Sequence, residues 1–241
     1  MVPIDDGGAV GAPPSPGRNR AGKVLWIIGA LERTYGRPTA GERKDPLSEL
    51  IFTILSQNTN DVNRDRAWVS LWKSFPSWRA IASAARHRVE AAIRVGGLAP
   101  TKSRVIQETL RKVKEDQRGY SLEALAGMDM REVEEYLAGF KGVGLKTIRC
   151  VQVFSLGQPA FPVDTHIFRI TKRLGLVPPK ASHEVAHRIM GALTPASEVL
   201  PFHINLITHG RRVCKAARPL CGECVIRRRC NYYRERPRHS R

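Results

Sequence analysis

The stretch from Leu137 to Arg169 constrains this chain more than any other, because two helical hydrophobic patterns are joined there by only Phe140-Lys141-Gly142-Val143-Gly144. Glycines in such a turn permit positive φ and let another backbone approach closely. The helix expected from about Leu145 to Leu156 then opens with unpaired N–H groups and a positive dipole end, which suits a phosphate. A plain helical packing joint gives the same pattern. Lys146 lies in the first turn of this helix, where the dipole disfavours a cation. That disfavour lowers the amine's pKa and raises its neutral, nucleophilic fraction. By position alone, a nucleophile and an exposed phosphate contact fit equally well. Asp164 follows Pro162-Val163 and reads as the N-cap of a helix over 165–174. A capping carboxylate at the mouth of a cleft also serves as a general base or stabilises a developing sugar cation. His166 reads as a residue that packs or bonds locally at the same helix start, with catalysis as the alternative.

Elsewhere the apolar residues recur at helical spacing and no convincing period-two segment appears, so the sequence predicts an all-α fold without internal repeats. A first helix is expected near Val24, with Leu25, Ile28 and Leu31 on its apolar face. Asp45-Pro46 marks a helix start, and Leu50, Ile51, Ile54 and Leu55 share one face of the helix that follows. That helix ends in Gln57-Asn58-Thr59-Asn60-Asp61, a loop too rich in amides for a core. Helices are expected over 62–75, 77–94 and 101–117, the last two separated by Gly96-Gly97-Leu98-Ala99-Pro100, which strands Leu98 in a Gly/Pro loop. Asp129 and Glu132 have capping-box spacing, and two further helices are expected over 182–193 and 197–212. Residues 1–20 are rich in Gly and Pro and read as a disordered tail; 232–241 reads as a basic tail.

The chain carries 40 Lys+Arg against 22 Asp+Glu, a formal charge of +18. Such an excess points to a polyanionic partner, nucleic acid foremost. A solvated basic surface is the alternative. The longest apolar run, Val24 to Leu31, falls far short of the ~20 residues a bilayer span requires, and no signal peptide is evident, so no membrane partner and a cytoplasmic, nucleoid-associated location are expected. Four of the five cysteines, Cys214, Cys221, Cys224 and Cys230, form C-x6-C-x2-C-x5-C. Four thiolates so close in sequence can converge on one soft metal centre, and zinc and an iron–sulfur cluster both accept them, with disulfides as the alternative. The loop between the first two, with Lys215 and Arg218, would be held with its charges outward, suited to phosphate. Cys150 reads as a small buried apolar residue.

Three motifs together, GVGLKT at 142–147, VDTHIFR at 163–169 and the four-cysteine ending, are similar to those of the endonuclease III branch of the helix-hairpin-helix DNA glycosylases, across most of residues 21–231. The resemblance implies a six-helix domain over 39–158 beside a second domain that joins 21–38 to 159–231. It decides the metal as a 4Fe–4S cluster. It implies a monomer that binds double-stranded DNA bearing a damaged base or an abasic site, with Lys146 as nucleophile and Asp164 as essential carboxylate. Lys141, Gly142, Val143, Gly144 and His166 would then meet DNA, as would Lys215 and Arg218. Gln57 and Asn58 would probe the gap left by a flipped nucleotide, and Leu98 would wedge against the opposite strand. The activity implied is that of a bifunctional glycosylase and abasic-site lyase acting on oxidised pyrimidines of the thymine glycol type. A monofunctional mismatch or adenine glycosylase of the same superfamily generally lacks the lysine. A non-catalytic Fe–S DNA-binding protein would leave Lys146 and Asp164 incidental, and a zinc-bearing DNA-binding module would lack the yellow-brown colour of a cluster. Lys141 stands where a proline is frequent, Ile148 where a small alanine is usual, and QNTND departs from the commoner AQATD; none removes a catalytic group.

Overall fold

A computed structural model describes residues 18–39, 41 and 43–235, and among these there are helices and no strands. The tail expected at 1–20 lies outside the described residues up to 17, as does 236–241 of the basic tail. Helix α1 (Arg18–Tyr35) begins six residues before Val24. Its buried face is Val24, Ile27, Ile28 and Leu31, while Leu25, expected on that face, is 53% exposed.

Helices α2 (Pro46–Ser56), α3 (Asp61–Ser74), α4 (Trp78–Ser83), α5 (Arg86–Ile93), α6 (Ala99–Gln117), α7 (Met130–Ala138) and α8 (Leu145–Cys150) enclose a first hydrophobic core. Side-chain caps set several starts: Asp45 accepts from Ser48 N at 2.9 Å, Asn60 from Asn63 N at 2.9 Å, and Asp129 and Glu132 complete a capping box. The four residues expected on one face of α2 are all fully buried. The single helix expected over 77–94 is two, broken at Ala84-Ala85. Gln107 explains the break, since its amide donates to Ile81 O at 3.0 Å and Ala84 O at 2.8 Å, satisfying carbonyls that a continued helix would have used. Helix α6 starts at Ala99, two residues early, with Pro100 in its first turn, where a missing N–H is harmless.

A second core gathers α1 with α9 (Thr165–Arg173), α10 (His183–Leu193) and α11 (Val199–Arg212), together with Phe161, Val163 and Ile226. A short α12 (Asn231–Glu235) closes the described chain. The helix expected over 145–156 changes character midway. After Cys150 it widens into a π turn, Val151–Ser155, and Val151 packs in the first core while Val153 packs in the second. The widened turn thus lets one continuous segment serve both cores.

Candidate active site

The polar side of α2 was the least legible part of the site. Glu49, Thr53, Ser56 and Gln57 recur at i, i+4, i+7 and i+8, a stripe beside the apolar face. All four line a cleft of about 620 Å³ whose walls come from both cores. Lys146 and Cys150 of α8, Asp61 and Arg64 of α3, Asp164 and His166 at the start of α9, and His203 and Arg211 of α11 line it too. The structure therefore brings Lys146 and Asp164 into one cleft. Asp164 is the N-cap of α9, its carboxylate accepting from Ile167 N at 2.7 Å. His166 accepts at Nδ1 from Arg169 Nη2 at 3.1 Å.

Three further groups of this cleft have no counterpart in the motifs. Cys150 is buried, but it lines the cleft one helical turn after Lys146, and burial pushes its thiol up against the pull of that amine. The ring of His203 is buried and donates from Nδ1 to Pro162 O at 2.9 Å. Burial drives its pKa down against the pull of Asp164, so the ring is neutral and offers Nε2 as an acceptor. Glu49 is 8% exposed, and its carboxylate accepts from Thr53 Oγ1 at 3.0 Å. Arg211 closes one end of the cleft by pairing with Asp61, Nη2 to Oδ1 at 3.0 Å.

At the turn between α7 and α8 the two glycines differ. Gly142 has φ +80°, and a Cβ there would come within 2.9 Å of Val105, so conformation and space both exclude a side chain. Gly144 has φ −95° and open space around it, so it needs neither, and it leaves the start of α8 bare. Phe140 and Val143 anchor the turn in the first core while Lys141 stays exposed. Gln57 donates to Gly142 O at 3.4 Å, joining the amide-rich loop to the turn.

Asn58 and Leu98 are both exposed, and both hold left-handed backbone, φ 50° and 49°; among the described residues only Arg118 joins them as a non-glycine with positive φ. Such a conformation is unfavourable for leucine and is held by its surroundings. Lys102 supplies them. It is fully enclosed at 2% exposure and donates to Leu55 O and Gly96 O, each at 2.7 Å, which ties the end of α2 to the loop carrying Leu98. Lys102→Met keeps the volume but orphans both carbonyls, and is expected to lower unfolding free energy by about 2–4 kcal/mol in denaturant titrations. An unchanged midpoint would show that the two carbonyls find other donors.

Cys214, Cys221, Cys224 and Cys230 line one small cavity, and burial first, then the other three sulfurs, push the Cys224 thiol up to about 11. Among the described residues no three His, Cys, Asp or Glu stand close enough to share one metal ion. The four thiols around this cavity are a donor set that zinc and an iron–sulfur cluster both accept. Two arginines of α9 brace this segment. Arg169 donates to Cys214 O at 2.8 Å and Gly210 O at 3.1 Å; Arg173 reaches Cys214 Sγ at 3.3 Å, Lys215 O at 2.8 Å and Ala216 O at 2.7 Å. His209 Nε2 lies 3.4 Å from Cys224 Sγ. Lys215 and Arg218 stand exposed on the braced loop. Among the described residues no helix is long and apolar enough to cross a membrane.

Comparison with known proteins agrees with this geometry. Residues 51–195 match the HhH-GPD superfamily base excision DNA repair proteins. Endonuclease III of Thermotoga maritima is 32% identical over 199 residues, covering 83% of this chain and 89% of that protein. A putative DNA glycosylase of Arabidopsis thaliana is 38% identical over 185 residues, covering 76% of this chain; the match spans only 60% of the plant protein's length. In fold, the chain is similar to a trapped endonuclease III–DNA covalent intermediate, with a TM-score of 0.77 at 24% identity, covering 89% of this chain and 97% of that one. The motifs, the helical turn between α7 and α8 and these matches place the chain in the endonuclease III family of the HhH-GPD superfamily.

Proposed function

We propose that the chain is a bifunctional DNA glycosylase and abasic-site lyase of base excision repair that acts on oxidised pyrimidines in duplex DNA. The observation that carries the reading is the shared cleft of Lys146 and Asp164, whose volume of about 620 Å³ suits a flipped nucleotide. In this reading the Lys146 amine attacks the sugar C1′ as the base departs. Asp164 orients or deprotonates that amine and stabilises cationic character at the sugar. The resulting Schiff base labilises the C2′ proton, and β-elimination breaks the strand on the 3′ side.

DNA would lie along the turn at 141–144, with Gln57 and Asn58 in the vacated gap and Leu98 as wedge. The exposed tips of Asn58 and Leu98, both in left-handed backbone that is unfavourable for the leucine, support this assignment. His166, Lys215 and Arg218 would complete the contacts. The two hydrophobic cores support a division into 39–158 and 21–38 with 159–231, and a single chain supplies both walls of the cleft, which supports a monomer. The four cysteines would hold a 4Fe–4S cluster as a structural staple that fixes the Lys215–Arg218 loop. The test is incubation of the protein with a thymine glycol duplex and borohydride, which is expected to give a covalent protein–DNA complex and, without borohydride, a nick. Base release without either product would make the protein monofunctional and overturn the lyase assignment.

A further inference from the structure

Glu49 is the one carboxylic acid on the α2 wall of the cleft, and the steps above do not use it. One of its oxygens accepts from Thr53 Oγ1, and among the described residues the other receives no hydrogen bond and the group joins no ion pair. The groups whose charges reach it are Lys44 before α2, Arg64 on α3, and Lys146 and Cys150 on α8. The second core contributes Asp164, His166, His183, His203 and Arg211 to the same cleft.

We propose that Glu49 is the acid that protonates the departing base, a catalytic role distinct from those of Lys146 and Asp164. The inference rests on the base-excision reading above. Burial pushes the Glu49 carboxyl up, more than Thr53 and the cations Lys44, Lys146 and Arg64 pull it down, so the group is biased toward its protonated form. The neutral Lys146 amine forms a bond to C1′. The C1′–N bond breaks and its electron pair leaves with the base. The Glu49 proton passes to the oxygen or nitrogen of the base that faces it, and the base departs neutral. Glu49 is left as a carboxylate while the Lys146 nitrogen carries the new positive charge, so opposite charges arise together in a cleft partly screened from water.

The experiment compares wild type with Glu49→Gln on two duplexes, one carrying thymine glycol and one carrying a preformed abasic site. Glu49→Gln keeps the size and the acceptor for Thr53 but has no acidic proton. Single-turnover base release is expected to fall about 10²–10⁴-fold, whereas borohydride trapping at the abasic site, where no base remains to be protonated, changes by less than about threefold. The pH profile adds a readout that a structural role would not move. Wild-type base release declines as pH rises through the elevated Glu49 pKa, and the variant lacks that decline. Equal losses on both duplexes would mark Glu49 as structural and overturn the proposal, as would undiminished base release. Wild-type protein that neither releases base nor traps at abasic DNA would overturn the parent reading and this inference with it. The fold is checked separately. A carboxyl whose pKa is raised on folding contributes stability below its unfolded pKa and loses it as pH rises, so Glu49→Gln is expected to melt at or above the wild-type temperature at neutral pH.

Discussion

Lys146→Ala is expected to abolish borohydride trapping on thymine glycol and abasic duplexes and to lower strand cleavage by at least about 10³-fold. The lyase step needs a primary amine that becomes an imine at C1′ and is freed afterwards by hydrolysis; among the described residues the other lysine of the cleft is Lys44, which precedes α2 and lies 4.4 Å over the Phe52 ring. The fold should survive the change, since Lys146 is only half-buried and its side chain meets Cys150 within its own helix. Lys146→Arg separates the two roles that position alone leaves equal. Arginine keeps the charge and would preserve a phosphate contact, but it stays protonated and cannot form the Schiff base. Cleavage retained by Lys146→Arg would therefore sink the nucleophile assignment, and circular dichroism together with DNA binding would exclude misfolding as the cause of a loss.

The second large effect is expected at the cysteines. Burial drives the pKa of the Cys224 thiol up to about 11, so in the absence of a metal it is a neutral thiol at physiological pH. Cys224→Ser is expected to yield protein with little bound iron and no yellow-brown colour. Residues 213–235, which have few apolar anchors besides Ile226, should then be cut readily by protease, while the core of α2–α8 resists. Braces from Arg169 and Arg173 run from the middle and end of α9 into this segment, so its loss should also loosen α9, which carries Asp164 at its start, and slow base release. Full iron content and unchanged protease resistance in Cys224→Ser would refute the ligand assignment. Equimolar zinc in purified wild type would replace the cluster with a mononuclear site.

Local chemistry made much of this molecule legible in its sequence. Asp45, Asn60 and Asp129 have the side chains that cap helices and do so, and glycine at 142 stands where φ is positive. Lys146, Asp164 and the cysteine spacing are short-range patterns, and the structure gathers each into one place. What stayed hidden depends on partners distant in the chain. Gln107 splits the helix expected at 77–94 from more than twenty residues away, and Lys102 serves Leu55, 47 positions earlier. Glu49 and His203 carry no motif, and only packing reveals that they share a cleft. Leu25 misleads because Leu25, Ile28 and Leu31 form a helical stripe as Val24, Ile27, Ile28 and Leu31 do, and only packing against the second core selects the latter.

Under the proposed function, the two carbonyls held by Lys102 bear on how the protein would search DNA. One ammonium ties the end of α2, just before Asn58, to the loop just before Leu98, so in the proposed reading the two tips would act as a gauge with a set opening. A gauge of this kind needs no ordering of its jaws on each encounter, and the entropy of shaping them is spent once, during folding, instead of at every base pair inspected. If these tips probe DNA as proposed, sites where the duplex already yields would admit both together and intact stacks would turn both away, so the softness of the lesion would be the first property read.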